Sequence, residues 1–212
     1  MKSAPIHRGA NGNTAMFARK YIRGRLEGFE KDMKICLTPV KSKDSSSITH
    51  AYFPALAACC GILEYLAALY RGNIKGVGWP QIADFADRYL PQPAFDRETV
   101  RILFDAFRHP VAHRGIASGI WVDRNHGTGK GRRVTWKISA DAKRPACEIV
   151  KEVGQLLRDP PWPCPYTHRV HIHLRGLWVD IRTATNLYSK ELRKNKQLRD
   201  NFEACMRQLY PT

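Results

Sequence analysis

The densest concentration of acid–base and phosphate-binding side chains lies in Phe107-Arg108-His109-Pro110-Val111-Ala112-His113-Arg114-Gly115. Imidazole titrates near neutrality, so His109 and His113 can each accept or donate a proton. A guanidinium offers a bidentate fork to phosphate, and its grip tightens as charge builds on the phosphate oxygens. Two imidazoles and two guanidiniums drawn together suit attack by an RNA 2′-hydroxyl on its neighbouring phosphate. The same residues at a helix C-terminus also complement the helix dipole with no further role. Both readings fit the spacing.

The elements around this run decide how it is presented. Asp96 can cap a helix in which Val100, Leu103, Phe104, Phe107 and Val111 form one apolar stripe, with Arg108 at its end on the other side. Pro110 removes a backbone donor and disfavours helical geometry at His109, so the helix is expected to stop or kink there. That would turn His113 and Arg114 back beside Arg108. An Ala- and Leu-rich helix from about Pro54 to Arg71 is apolar on nearly all sides and should be central, with Glu64 its one internal charge. Glu64 is either part of the chemistry or a buried carboxylate paired with Arg101 or Arg108. A first long helix carries Ile22, Leu26, Phe29, Met33 and Cys36 on one stripe, with Thr14 as its cap and Pro39 beyond its end. Residues 41–49 read as a mobile polar loop, and residues 79–91 as a short helix.

An Ala-rich central helix followed by an amphipathic helix ending in Arg108-His109, with His113 beyond, resembles the HEPN (higher eukaryotes and prokaryotes nucleotide-binding) superfamily. Arg108 and His113 match its Arg-x4-His signature, and His109 fills the polar slot after the arginine. The resemblance spans residues 14–116. It implies a helical bundle and a metal-independent endoribonuclease needing no cofactor, commonly of defence, toxin–antitoxin or RNA-processing systems. It also implies a homodimer with the motifs of two protomers meeting, and a cognate antitoxin or regulatory protein as a further partner. By the same resemblance His113 is the acid/base and Arg108 the phosphate clamp, with His109 in support and Glu64 joining the motif. Other members have lost activity and act as binding modules.

Beyond residue 116 the pattern changes. Residues 119–123 and 134–138 are β-rich runs that a Gly-rich loop can join as a hairpin. Arg124, Lys130, Arg132, Arg133, Lys137, Lys143 and Arg144 stand there against the single Asp141, with Trp136 among them. A basic hairpin with an indole suits backbone contact and base stacking on RNA; a merely soluble loop has the same composition. Gly127 to Gly131 is no phosphate loop, because Arg124 and Gly131 occupy positions that would need glycine and a hydroxyl residue. Residues 141–158 are expected to be helical, with Ile149, Val150, Val153, Leu156 and Leu157 inward. In residues 169–175 Val170, Ile172 and Leu174 alternate with Arg169, His171, His173 and Arg175, the second set forming a basic strand face for RNA. Cys164, His168, His171 and His173 have the right donors for zinc but match no finger spacing, so no metal is expected. Two helices, around 177–192 and 198–209, close the chain.

The whole carries 35 Lys and Arg against 19 Asp and Glu over 212 residues, a net +16, which favours polyanionic partners. Its 43% hydrophobic content excludes wholesale disorder. Six cysteines without a CxxC pair fit a reduced, cytoplasmic protein, and the absence of an apolar stretch behind the first charges predicts no secretory leader. Pro54 and Glu64 argue against a membrane role for the apolar helix. The expected fold is mainly α, all-alpha in its core: a HEPN-like bundle over 14–116, with a small α+β extension over 117–212 containing the hairpin.

Overall fold

The computed structural model describes residues 11–41, 48–110, 117, 119–124, 131–156 and 163–211. Helix α2 (Tyr52–Arg71) lies at its centre, burying Leu56, Cys59, Ile62, Leu63, Leu66 and Leu69, while Ala55, Ala67 and Ala68 let neighbouring helices approach closely. It is the one helix among the described residues long and apolar enough to cross a membrane, and 56% of its apolar window is buried inside the fold. Gly72 ends it in the left-handed region (φ 82°), its N–H donating to the Ala68 carbonyl. A Cβ at Gly72 would also lie 2.9 Å from the Asn201 Cα, so the turn admits only glycine on both counts.

Helices α1 (Asn11–Cys36), α3 (Trp79–Tyr89), α4 (Arg97–Ile102), α5 (Leu174–Glu191) and α6 (Lys196–Leu209) surround α2. The stripe read in α1 is the buried one, with Ile22, Leu26 and Met33 in the core. Thr14 is not its cap: the helix begins at Asn11, and the Thr14 hydroxyl donates to Glu203 Oε1 of α6 at 2.6 Å. Asp96 does cap α4, its carboxylate accepting from the Thr99 N–H at 2.7 Å. The α6 helix is tied to the end of α2 by Asn201 Nδ2 donating to the Tyr70 carbonyl at 2.6 Å.

The mainly-α, all-alpha expectation is overturned by a four-stranded mixed sheet, which makes the chain α+β. Short strands β1 (Val40–Lys41) and β2 (Ile48–Thr49) pair at the ends of the segment read as a loop. The main sheet comprises β3 (Trp121–Asp123), β4 (Arg132–Ser139), β5 (Cys147–Gln155) and β6 (Pro165–His173), in the order β3-β4-β6-β5. The expected hairpin is β3–β4, antiparallel with Trp121 opposite Val134. β4 pairs parallel with β6, and β6 antiparallel with β5.

Strand β5 replaces the helix expected over 141–158. Its apolar residues fit a helical stripe, yet Ile149, Val150 and Val153 are β-branched and prefer extended backbone. Pairing with β6 settles the matter and leaves Val153 exposed, not inward. The sheet sets one face on the helices: Val134, Val170 and Ile172 join Phe104, Phe107, Leu177 and Phe202 in one core. That core is shared by helices from both halves of the expected division at residue 116.

Helix α4 is locked to the hairpin by charge. Asp123 is fully buried and accepts Arg101 Nη1 at 3.0 Å and Nη2 at 2.8 Å, plus Arg132 Nε at 3.0 Å. Arg132 Nη2 reaches Glu98 Oε1 at 2.6 Å. Removing the central carboxylate strands two guanidiniums in a dry interior. Asp123→Ala should therefore lose about 3–5 kcal/mol of unfolding free energy, whereas Glu98→Gln, at the solvated end, should lose less than about 1 kcal/mol. Urea denaturation of both variants against the parent measures the contrast, and equal losses would refute it.

Candidate functional site

Beyond Ile102 the helix widens into a π-helical segment, Leu103–Arg108, and the His109 N–H donates back to the Phe104 carbonyl. Pro110 explains the widening. It has no N–H, and in a regular α-turn its ring would press on the carbonyl four residues back. A π-turn relieves that pressure without ending the helix, and such turns recur at functional sites. Of the stop or kink expected at Pro110, the stop does not occur: His109 keeps helical angles (φ −63°, ψ −52°), and Pro110 is buried.

This geometry turns Arg108 toward α2, where its Nη2 donates to Glu64 Oε2 at 2.9 Å. Both side chains are about a quarter exposed, at 26% and 24%, so the pair sits at the rim of the core and can be reached from solvent. Of the two partners open to Glu64 in the sequence, Arg108 takes it; Arg101 is committed to Asp123. His109 follows on the exposed side of the helix end. His113 and Arg114 lie outside the described residues, as does Lys130.

Two neighbours complete the electrostatics. One turn before Glu64, burial pushes the Cys60 thiol up to about 12, with the Glu64 charge adding and Arg108 opposing. Cys60 is therefore a neutral packing residue at pH 7, not a nucleophile. Asp105, four residues before His109, is held above the ordinary carboxylate range by partial burial, against the opposing pull of Arg101 and His109. In the sequence a lone aspartate on an amphipathic helix reads as a solvated residue, and only its four-residue spacing to His109 signals Asp105.

The other predicted RNA-contacting residues separate by sheet face. Strand pairing puts Thr135 opposite Arg169, Lys137 opposite His171 and Ser139 opposite His173, so the outer face gathers Arg133, Lys137, Arg169, His171 and His173. Acidic partners temper it. Glu148 stands opposite His171, and Glu152 takes Arg169 at 3.0 Å and approaches His171 at 3.9 Å. The Arg169 guanidinium also packs 5.0 Å from the Tyr166 ring centroid. His173 shares a hydrogen bond with Ser139 at 2.9 Å, and burial lowers its pKa, which keeps the ring neutral at pH 7.

Arg175 leaves that face because α5 begins at Leu174; its Nη2 donates to the Leu37 carbonyl at 3.2 Å. Trp136 faces inward against Phe53 and Phe107, centroids 5.3 and 6.5 Å away, and Arg132 is buried in the Asp123 network. Arg124 is exposed just after β3. Among the described residues no three His, Cys, Asp or Glu side chains converge as a metal site, and His168 turns to the face opposite His171 and His173.

Asp105 supplies a pH test. Its raised carboxyl means the folded chain keeps a proton that the unfolded chain has already released, so ionisation there opposes folding. The cost is absent below the ordinary carboxylate value and complete above the raised one. Asp105→Asn should therefore melt at a higher temperature than the parent at neutral pH, with the gap closing as pH falls towards about 4; a gap that widens on acidification would refute the assignment. Compared with family models, with curated proteins and with solved structures, the chain matches none.

Proposed function

We propose that the chain is an RNA-directed, metal-independent endoribonuclease of the HEPN type, acting as a cytoplasmic homodimer with Arg108 as its phosphate clamp. The observation that carries this reading is the rim-exposed Arg108–Glu64 pair at the π-helical end. Glu64 engages one edge of the guanidinium through Nη2, which fixes its orientation and leaves its remaining donors for the non-bridging oxygens of a phosphodiester. As the RNA 2′-oxygen attacks the adjacent phosphorus, charge grows on those oxygens and the held guanidinium stabilises it. The 2′-hydroxyl proton passes to a base, for which His113 is assigned by the resemblance with His109 in support. The 5′-oxygen leaves with a proton from the same acid–base pair. The products are a 2′,3′-cyclic phosphate and a 5′-hydroxyl.

A second reading, a catalytically silent module that binds RNA, a nucleotide or a protein partner such as an antitoxin, is favoured by a different observation. Glu64 already balances the Arg108 charge, and the outer sheet face gathers Arg133, Lys137 and Arg169 away from that pair.

Incubation with mixed RNA in EDTA separates the two. The enzyme produces fragments ending in 2′,3′-cyclic phosphate, and Arg108→Ala and His113→Ala each reduce their formation by about a hundredfold or more. Glu64→Gln should reduce it less, because the arginine remains but loses its orientation. Cleavage that survives both alanine variants, with their melting temperatures unchanged, would sink the catalytic reading; salt-sensitive binding without cleavage would favour the module.

A further inference from the structure

Between α1 and α5 runs a groove of about 460 Å³, separate from the Arg108–Glu64 pair and from the sheet. The two helices are antiparallel: Arg175 at the start of α5 reaches the Leu37 carbonyl beyond α1, and Arg182 approaches Glu30 at 3.9 Å. Counting the same number of residues back along α1 and forward along α5 brings Arg19 level with Arg193. At that end Arg19, Arg23, Lys190 and Arg193 converge on one groove.

Among the described residues only one of these four cations is paired, and its partner Glu27 lines the groove with it. Arg23 has Glu27 at 2.9 Å, and Glu30 is shared by Lys34 and Arg182 at the other end. Arg19, Lys190 and Arg193 make no ion pair among the described residues. The helix dipole of α5 favours Lys190 and Arg193 near its C-terminus, but Arg19 and Arg23 lie in the N-terminal half of α1, where a dipole gives cations no help. Ser189 and Asn186 line the same groove, and their side chains make no hydrogen bond among the described residues. Beneath them Ile22 and Leu26, both buried, form an apolar floor that limits solvent screening. Three unpaired like charges, two uncommitted polar groups and a dry floor in one concavity form a receptor for an oxyanion.

We propose that this end of the groove binds phosphate, with Arg19, Lys190 and Arg193 holding the anion and Ser189 and Asn186 hydrogen-bonding its oxygens. The phosphate belongs either to a small oligophosphate ligand or to the backbone of a single-stranded RNA. The inference stands on charge and shape and does not rest on the chemistry proposed for Arg108.

The test uses the full chain and two probes: tripolyphosphate followed by calorimetry, and a short fluorescent single-stranded RNA followed by anisotropy. The variant Arg19→Glu/Lys190→Glu/Arg193→Glu is compared with Lys31→Glu/Arg71→Glu/Lys75→Glu, which removes the same net charge from exposed positions elsewhere. The groove variant should lose at least about tenfold in affinity and the control less than about threefold. Ser189→Ala, which leaves charge and fold intact, should weaken tripolyphosphate by about threefold. Loss for both probes means that RNA backbone occupies the groove, and loss for tripolyphosphate alone means a small ligand. Equal losses from both triple variants, or no binding of either probe to the parent, would overturn the proposal. The same comparison of groove and control variants is repeated in the Arg108→Ala background, so that any phosphate held by Arg108 drops out and the tenfold groove effect is read apart from the fate of the nuclease reading.

Discussion

A carboxylate with no access to water must be fully compensated or its burial opposes folding. Asp123 is such a group, and its compensation comes from two directions: Arg101 from α4 and Arg132 from the neighbouring strand. Those contacts fix the rotation of α4 about its own axis relative to the hairpin. Trp136, packed edge-on against Phe107 and Phe53, fixes the same relationship through aromatic contact. With α4 pinned, the direction taken by Arg108 seven residues after Arg101 follows from the geometry of the intervening turns. A regular α-helix would nearly superpose the two arginines; the π-turn offsets them, one toward the sheet and the other toward Glu64. The site geometry therefore depends on a buried ion cluster some distance from it.

Much of the helical layer was legible because it follows one-dimensional rules. The stripes of α1 and α4, the cap at Asp96 and the apolar run of α2 all reflect local periodicity, and β6 announced itself by strict alternation. What stayed hidden depends on partners remote in sequence. Ile149, Val150 and Val153 suit either a helix or a strand until β6 is available to pair with them. Arg132 is indistinguishable in the sequence from Arg133, one residue on, yet one is inside with Asp123 and the other outside, because strand alternation meets a buried acid at only one of them. Trp136 could equally have faced out; the sheet's choice of packing face turned it in. At the candidate site the Arg108–Glu64 pairing was available as an alternative, whereas the π-turn was not, since proline predicts the loss of a regular turn and not the form of its replacement.

The net charge divides along the same physical lines. Arg101 and Arg132 are consumed by Asp123, Arg144 by the buried Asp180 at 2.8 Å, and Arg169 by Glu152. Arg97 is shared by Asp84 and Asp87 on α3. These cations hold elements together, and their partners weaken the field they can offer a ligand.

A cation already balanced by a carboxylate releases few counterions when a phosphate arrives, because its field is largely cancelled beforehand. The count of 35 Lys and Arg therefore overstates the number of phosphates the chain can neutralise, and the acids that balance them are what bring the net value down to +16. On the outer sheet face Arg133, Lys137 and Arg169 are interleaved with Glu148 and Glu152. In the α1–α5 groove the acids Glu27 and Glu30 pair with Arg23 and Arg182, and Arg19, Lys190 and Arg193 make no ion pair among the described residues. If one polyanion passes over this surface, its tightest phosphate contacts belong to the helical layer, and the sheet, although richer in histidine and arginine by sequence, is the weaker electrostatic partner. Local pairing, not composition, decides where the charge of this chain can act.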